Sequence, residues 1–297
     1  MKTVVIGAGS DLGVQINGAS SGPIQLIRDL SSFYKGEIIS ITQSTAIIKN
    51  RNLAEKRKNE EEINSFNKVL YKTVCEKFEN QLFPVTIGGD QSISIATILA
   101  SVKNNGNIGV IWFGAHPSYN TYDTTPTGNV HGMALATVTG QNQNELMPFH
   151  ENGTLVNPTS VSIVGARNID SRENDNIQYA NINVFSTDDI KSNGAKDIVD
   201  KAFKAASAKA SKFHVVFNLD LIDPSVAIGV SVPEDNGIDE KTTMELIDSI
   251  LAHAKSLTSF DLVEFNPTKD PERKTEQISL NILAKVVSFL DELKEES

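Results

Sequence analysis

The chain has 297 residues, 39% hydrophobic and 22% charged, with 27 Lys and Arg against 37 Asp and Glu for a formal net charge of −10. That apolar fraction excludes bulk disorder, and the acidic balance repels a phosphate backbone, which excludes nucleic-acid binding as the main activity. A single cysteine, Cys75, excludes an intrachain disulfide and a cysteine-built metal site, and its place in an amphipathic helical pattern reads as a small core residue.

From the N-terminus, the apolar run in Met1–Gly7 is too short for a signal peptide, and no stretch approaches the ~18 apolar residues of a membrane span. A soluble, cytoplasmic protein without a membrane partner is expected. Short runs rich in β-branched residues predict strands at 3–7, 37–42, 83–87, 108–113, 160–164, 182–186, 213–217 and 259–263. Several are apolar throughout, as strands covered on both faces should be. Helical periodicity marks 60–80 (Ile63, Phe66, Leu70, Val74), 239–253 (Met244, Ile247, Leu251) and 272–293 (Ile278, Ile282, Leu283, Val286, Leu290). Pro271 is read as belonging to the first turn of the last helix. Strands alternating with helices imply a three-layer α/β/α sandwich around a mostly parallel sheet. With no composition break, linker or repeat, residues 1–297 read as one domain. The loops at 117–130 and 223–238 are longer than connectors need, which points to function.

In an open parallel α/β sheet, ligands bind beyond the carboxyl ends of the strands. Strand 83–87 runs into Gly88-Gly89-Asp90-Gln91-Ser92, and strand 108–113 into Gly114-Ala115-His116-Pro117-Ser118-Tyr119-Asn120. Strand 160–164 leads to Gly165-Ala166-Arg167-Asn168-Ile169-Asp170, strand 213–217 to Asn218-Leu219-Asp220, and strand 259–263 to Glu264-Phe265-Asn266-Pro267. Any one of these is an ordinary polar loop residue or helix cap. Five together on one sheet edge make a ligand site the better explanation.

The first glycine cluster, Gly7-Ala8-Gly9-Ser10-Asp11-Leu12-Gly13, raises a dinucleotide-binding dehydrogenase as an alternative. Its third glycine falls one place late for G-x-G-x-x-G, no clean helix follows because Asn17, Gly18 and Gly22-Pro23 break the segment, and the second strand ends without the acid that would hold a ribose.

The blocks Asp11-Leu12-Gly13, Gly22-Pro23, Gly88-Gly89-Asp90, Thr127-Gly128-Asn129-Val130-His131-Gly132, Asp220, Asp223-Pro224 and Glu264-Phe265-Asn266-Pro267 occur in an order and spacing that resemble the arginase/agmatinase (ureohydrolase) family, and within it the arginases. The resemblance covers nearly the whole chain. It implies a fold in which two Mn²⁺ ions share a bridging hydroxide that hydrolyses a guanidinium group to urea. The family's six ligands are a His after Gly-Gly-Asp, the three of Asp-Ala-His-x-Asp, and the two Asp of Asp-x-Asp.

This chain departs from the pattern at four of those positions: Gln91, Gly114, Ser118 and Asn218 stand in place of ligands, and only His116 and Asp220 remain. Gly114 and Asn218 fall where the family places carboxylates shared by both ions. Four carboxylates become one, and glycine, hydroxyl and amide groups are poor partners for a hard dication. The expectation is no binuclear manganese cluster, with Mn²⁺ at most weakly held as a single ion at His116 and Asp220.

By the same resemblance the organic half of the pocket persists. Asn120 and Thr127 match the positions that bind an α-carboxylate, and Asp170 the acid near the α-amino group. Glu264 matches the acid facing the guanidinium, and His131 the proton-shuttling histidine. The reading that follows is an arginase-like pseudoenzyme that binds a small amino-acid or guanidino ligand or scaffolds a partner. The alternative is a weakly metal-dependent hydrolase releasing urea, with His131 and Glu264 as residual catalytic groups. The resemblance also implies a homo-oligomer, trimer or hexamer, and admits a purely structural role in an assembly.

Overall fold

The computed structural model describes residues 2–44, 57–150 and 153–293. Every predicted strand forms: β1 (Thr3–Gly9), β2 (Glu37–Thr42), β3 (Phe83–Gly88), β4 (Gly109–Phe113), β5 (Val161–Ala166), β6 (Asn183–Ser186), β7 (Phe213–Asn218) and β8 (Leu257–Val263). They make one sheet in the order β2-β1-β3-β8-β7-β4-β5-β6, and all seven pairings are parallel. The sheet is therefore wholly parallel, where the sequence indicated mostly parallel.

Around it lie α1 (Gly22–Leu30), α2 (Glu60–Glu79), α3 (Ser94–Asn105), α4 (Ala134–Val138), α5 (Gln143–Leu146), α6 (Ser171–Tyr179), α7 (Thr187–Asn193), α8 (Ala195–Ala206), α9 (Glu240–Leu251) and α10 (Lys274–Glu292). The three predicted helices are α2, α9 and α10. Two details differ from the sequence reading. A helix does follow β1: α1 begins at Gly22 with Pro23 in its first turn, where the missing N–H has no helical partner to lose. Conversely, Pro271 precedes α10 rather than opening it. Arg273 is the N-cap at φ 55°, and the Asp270 carboxylate accepts the N–H groups of Thr275 (3.2 Å) and Glu276 (2.8 Å), so Asp270 sets where the helix starts. No helix among the described residues is long and apolar enough to cross a membrane.

Apolar runs are needed because most of the strands feed two cores. Val5, Val85, Ile87, Ile111, Phe113, Val215, Phe217, Phe260 and Leu262 join one cluster with Leu26, Ile198, Leu246 and Ile282 of α1, α8, α9 and α10. The alternate positions Val4, Ile6, Val110, Trp112, Val161, Ile163, Val216 and Val263 join the other, with Ile63, Leu70, Ile98 and Leu135 of α2, α3 and α4. The period of 2 survives as a choice of core rather than as core against water. Cys75 on α2 is half-buried against the second cluster, consistent with a packing residue.

What the topology does for function lies in the middle of the sheet. The five strands whose ends carry the polar clusters, β3, β8, β7, β4 and β5, are consecutive neighbours in space although scattered in sequence. Parallel pairing then sends all five carboxyl ends to one edge.

The turn after β3 depends on close backbone approach. Gly89 N–H donates to Ala8 C=O (2.9 Å), Asp90 N–H to Ser10 C=O (2.8 Å), and Glu264 N–H to Gly89 C=O (2.7 Å). A Cβ on Gly89 would stand 1.8 Å from the Ser10 carbonyl oxygen. Gly89→Ala is expected to lower unfolding free energy by about 3 kcal/mol or more, since backbone rather than a flexible side chain must move. Urea denaturation checks this; a loss under ~1 kcal/mol would contradict the packing described.

Candidate functional site

At the end of β3, Asp90 is buried and accepts two main-chain N–H groups, from Ser92 (2.8 Å) and Gly13 (2.8 Å). Burial, with the Glu264 charge adding to it, pushes its pKa up to about 6. Its place as a turn organiser leaves the next residue, Gln91, facing the site. Gln91 is 1% exposed, its main-chain N–H donates to Glu264 Oε1 (2.9 Å), and its side-chain Oε1 has no hydrogen-bond partner.

The ends of β4 and β7 form the deepest part. Asp220 is bonded on both oxygens: Oδ1 accepts the Ala115 N–H (3.0 Å), and Oδ2 lies 2.7 Å from His116 Nδ1. On its other side His116 Nε2 is 3.3 Å from Glu234 Oε1. Burial disfavours the imidazolium, but the bonds and charges of these two carboxylates outweigh it and raise the His116 pKa to about 9. Beside this pair, Asn218 donates from Nδ2 to the Phe113 carbonyl (2.6 Å) and leaves Oδ1 unpartnered. A Cβ built on Gly114 would point between Asn218 Nδ2 (3.0 Å) and Asp220 Oδ1 (3.1 Å). Positions 114, 218 and 220 thus lie side by side at the ends of β4 and β7.

Glu264, at the end of β8, is buried and held at φ 76°, a backbone conformation disfavoured for a residue with a Cβ. Its Oε1 lies 3.4 Å from His131 Nδ1. Burial opposes charge on His131, and the Glu264 carboxylate more than compensates, raising its pKa above the ordinary value. His131 belongs to a short 3-10 turn, Val130–Met133, and its own N–H donates to Gly13 C=O (3.1 Å).

The outer part comes from β5 and the 117–130 loop. Asp170 caps α6 in a capping box with Glu173 and accepts Asn120 Nδ2 at 2.9 Å. Thr127 accepts the Asn129 N–H at 3.1 Å, so its hydroxyl also serves the turn. A cavity of about 210 Å³ is lined by Gln91, His116, Ser118, Asn120, Thr127 and His131, among others including Asp170. It has an exposed rim at Thr127 and Asp170 and a buried floor at Gln91 and Ser118. Asp220, Asn218 and Glu264 stand behind the lining rather than in it. A larger cavity of about 720 Å³ lies next to it between the ends of β5 and β6 and residues 224–236; it takes Ala166, Arg167 and Pro224 from the motifs read in the sequence, and none of the residues matched there to metal or substrate.

Sequence reasoning missed Glu234 and Glu173, and it named Asn168 only as one of the polar residues after β5. Glu234 reaches His116 from the long 223–238 loop and accepts Asn168 Nδ2 at 2.5 Å. Arg167 pins that loop by donating to the carbonyls of Glu234 (2.9 Å), Asp235 (2.9 Å) and Asp220 (2.8 Å). Loop length was the only signal for Glu234; Asp170-Ser171-Arg172-Glu173 was legible as a capping box. Among the described residues, no group of three or more His, Cys, Asp and Glu side chains is arranged to hold a metal ion.

Comparison with known proteins gives a consistent picture. The model of the arginase family matches residues 1–288. The arginase of Bacillus subtilis is 33% identical over 294 residues, covering 95% of this chain and 96% of that protein. Among solved structures, the arginase from Bacillus cereus superposes with a TM-score of 0.86 at 29% identity over 97% of this chain and 98% of that one. The Entamoeba histolytica arginase, solved in complex with L-ornithine, superposes with a TM-score of 0.84 at 28% identity over the same shares.

Glu173 accepts main-chain N–H groups from Tyr119 (2.7 Å) and Asp170 (3.3 Å), yet burial pushes its pKa from 4.5 up to about 7. The folded chain therefore keeps a proton that the unfolded chain releases. The resulting contribution to stability is full below pH 4.5 and is lost as the pH rises through 7, by roughly 3 kcal/mol. Relative to Glu173→Gln, which cannot titrate, wild-type unfolding free energy is expected to fall by about 2–3 kcal/mol between pH 4.5 and 8. Urea titrations across that range check it; a difference independent of pH would refute it.

Proposed function

The chain belongs to the arginase family, and from that premise we propose that it is a pseudoenzyme of the family: it keeps a pocket for an amino-acid or guanidino ligand and lacks the binuclear manganese cluster, with little or no guanidinium hydrolysis. The observation that carries the reading is the state of the surviving metal-type pair. His116 and Asp220 bond to each other at 2.7 Å, and the point toward which a residue 114 side chain would project is left to a glycine.

The remaining positions do not fit a pair of divalent cations. Gln91, Ser118 and Asn218 offer neutral amide and hydroxyl groups, and Gly114 offers none. Hard cations bind through charged oxygens, and loss of even an outer partner typically weakens metal affinity ~10–100-fold. Replacing four inner ligands weakens it further. At most one weakly held Mn²⁺ at His116 and Asp220 is compatible with this donor set.

The ligand half is supported by the cavity itself, whose lining includes Asn120, Thr127, Asp170 and His131. In this reading Asn120 and Thr127 receive an α-carboxylate, Asp170 an α-ammonium, and Glu264 attracts a basic terminus from behind His131. His131 and Glu264 form a hydrogen-bonded pair able to hold a proton, but without an activated water there is no nucleophile to use it.

Metal analysis after equilibration with excess Mn²⁺ and desalting is expected to give fewer than two equivalents per chain, and urea release from arginine or agmatine is expected to match a His131→Ala control. Two bound equivalents, or urea well above that control, would overturn the pseudoenzyme reading in favour of a metal-dependent hydrolase. Restoring Gln91→His, Gly114→Asp, Ser118→Asp and Asn218→Asp together is expected to create Mn²⁺ binding, because positions 114, 218 and 220 lie side by side. A folded quadruple variant that binds none would show that the register is wrong.

A further inference from the structure

α3 is apolar on almost every side. Ile95, Ala96, Ile98, Leu99, Ala100 and Val102 all belong to the core cluster shared with α2 and α4, and every residue from Ser94 to Val102 is buried. A helix of this kind has no amphipathic pattern to choose which face lies on the sheet. One stripe differs: Ser94, Thr97 and Ser101, spaced i, i+3 and i+7, bring three hydroxyls to one face.

Each hydroxyl meets a polar group of the sheet. Ser94 Oγ (3.1 Å) and Thr97 Oγ1 (2.5 Å) donate to Asp261 Oδ2 of β8, and Ser101 Oγ lies 2.9 Å from His214 Nδ1 of β7. Asp261 pairs with Val216, two residues beyond His214, so the two side chains stand on the same face of the sheet. His214 Nε2 is 3.1 Å from Asp261 Oδ2, within ion-pair distance though not aligned for a hydrogen bond. Asp261, His214 and the three hydroxyl residues are all 0% exposed. Ser101, His214 and Asp261 stand in the order of a hydrolytic triad, yet their burial shuts out any substrate.

Burying these groups adds little stability over an apolar seam of the same shape, since hydrogen bonds made here replace ones made to water. What the polar seam supplies is direction. Turning α3 by one residue swings its side chains by about 100° and takes all three hydroxyls away from their acceptors, whereas its other faces are apolar and interchangeable. The setting matters at the candidate site because α3 follows the Gln91–Ile93 turn directly. β8 holds both ends of that segment: Glu264 Oε1 accepts the Gln91 N–H at 2.9 Å, and Asp261 accepts the Ser94 hydroxyl.

We infer that the hydroxyl stripe, with Asp261 and His214, is a rotational lock on α3: it selects the one face of the helix that lies on the sheet, and so fixes the direction of Gln91 into the cavity. Asp261 and His214 act in it as positioning residues. The inference does not depend on what the cavity binds or on whether a metal is held.

Methyl NMR of the full chain labelled at isoleucine tests it, because Ile93, Ile95 and Ile98 report on α3 and the turn before it, while Ile247 and Ile250 report on α9. The apolar-seam variant Ser94→Ala/Thr97→Val/Ser101→Ala/His214→Leu/Asp261→Leu is expected to stay folded. Ile93, Ile95 and Ile98 are then expected to give two or more signals each, or to broaden beyond detection, while Ile247 and Ile250 keep the single signals of the wild type. Single sharp signals for all five, or broadening of all five alike, would overturn the lock. Should that variant fail to fold, Thr97→Val decides: amide exchange at Gln91–Ile93 is expected to rise at least about ten-fold more than at Ile247–Ile250. An equal change in both places would mark a general effect on stability and overturn the inference.

Discussion

Parallel pairing of five neighbouring strands is the constraint on which the site depends. β3, β8, β7, β4 and β5 run side by side in one direction, so the residues following each must leave the sheet at the same edge. Positions 90, 116, 170, 220 and 264 are far apart in the chain, and hydrogen-bond register alone brings them to that edge. The two hydrophobic clusters, one on each face, make the register expensive to change: sliding a strand by one residue would exchange the side chains that fill the two cores.

On that edge the electrostatics are dense. Asp90, Glu173, Asp220 and Glu264 are all buried. In two of them burial pushes the pKa up, Asp90 to about 6 and Glu173 to about 7, although each accepts main-chain N–H groups. Asp220 and Glu264 are instead each set against a histidine, His116 and His131. The imidazole rings are thus positive-capable groups set directly beside these carboxylates. Glu234, arriving from the 223–238 loop and clamped by Arg167, adds a second carboxylate to His116.

Sequence and structure agree most closely where pattern alone carries the information. Strand positions followed from short β-branched runs, and α2, α9 and α10 from 3.6-residue periodicity. Element edges were less legible. The start of α10 is decided by the Asp270 carboxylate reaching forward to Thr275 and Glu276, a contact that no local rule about Pro271 anticipates. Likewise α1 starts at the Gly22-Pro23 pair that reads as a breaker, since proline suits the first turn as well as it ends a helix.

The sequence by itself determined the chemistry of each site position: which of them carry a carboxylate, an imidazole, an amide or nothing at all. It also determined, through motif order, which strand ends would carry them. Only the tertiary structure decided how those groups are used. It shows His116 bound to Asp220 and Glu234, Thr127 and Asp170 bracing a turn and a helix as well as lining the cavity, and three buried oxygens left without donors. The reason is physical. Residue identity sets what bonds a group is able to make, whereas the bonds it does make depend on neighbours that strand order, and not chain order, brings within 3 Å or so.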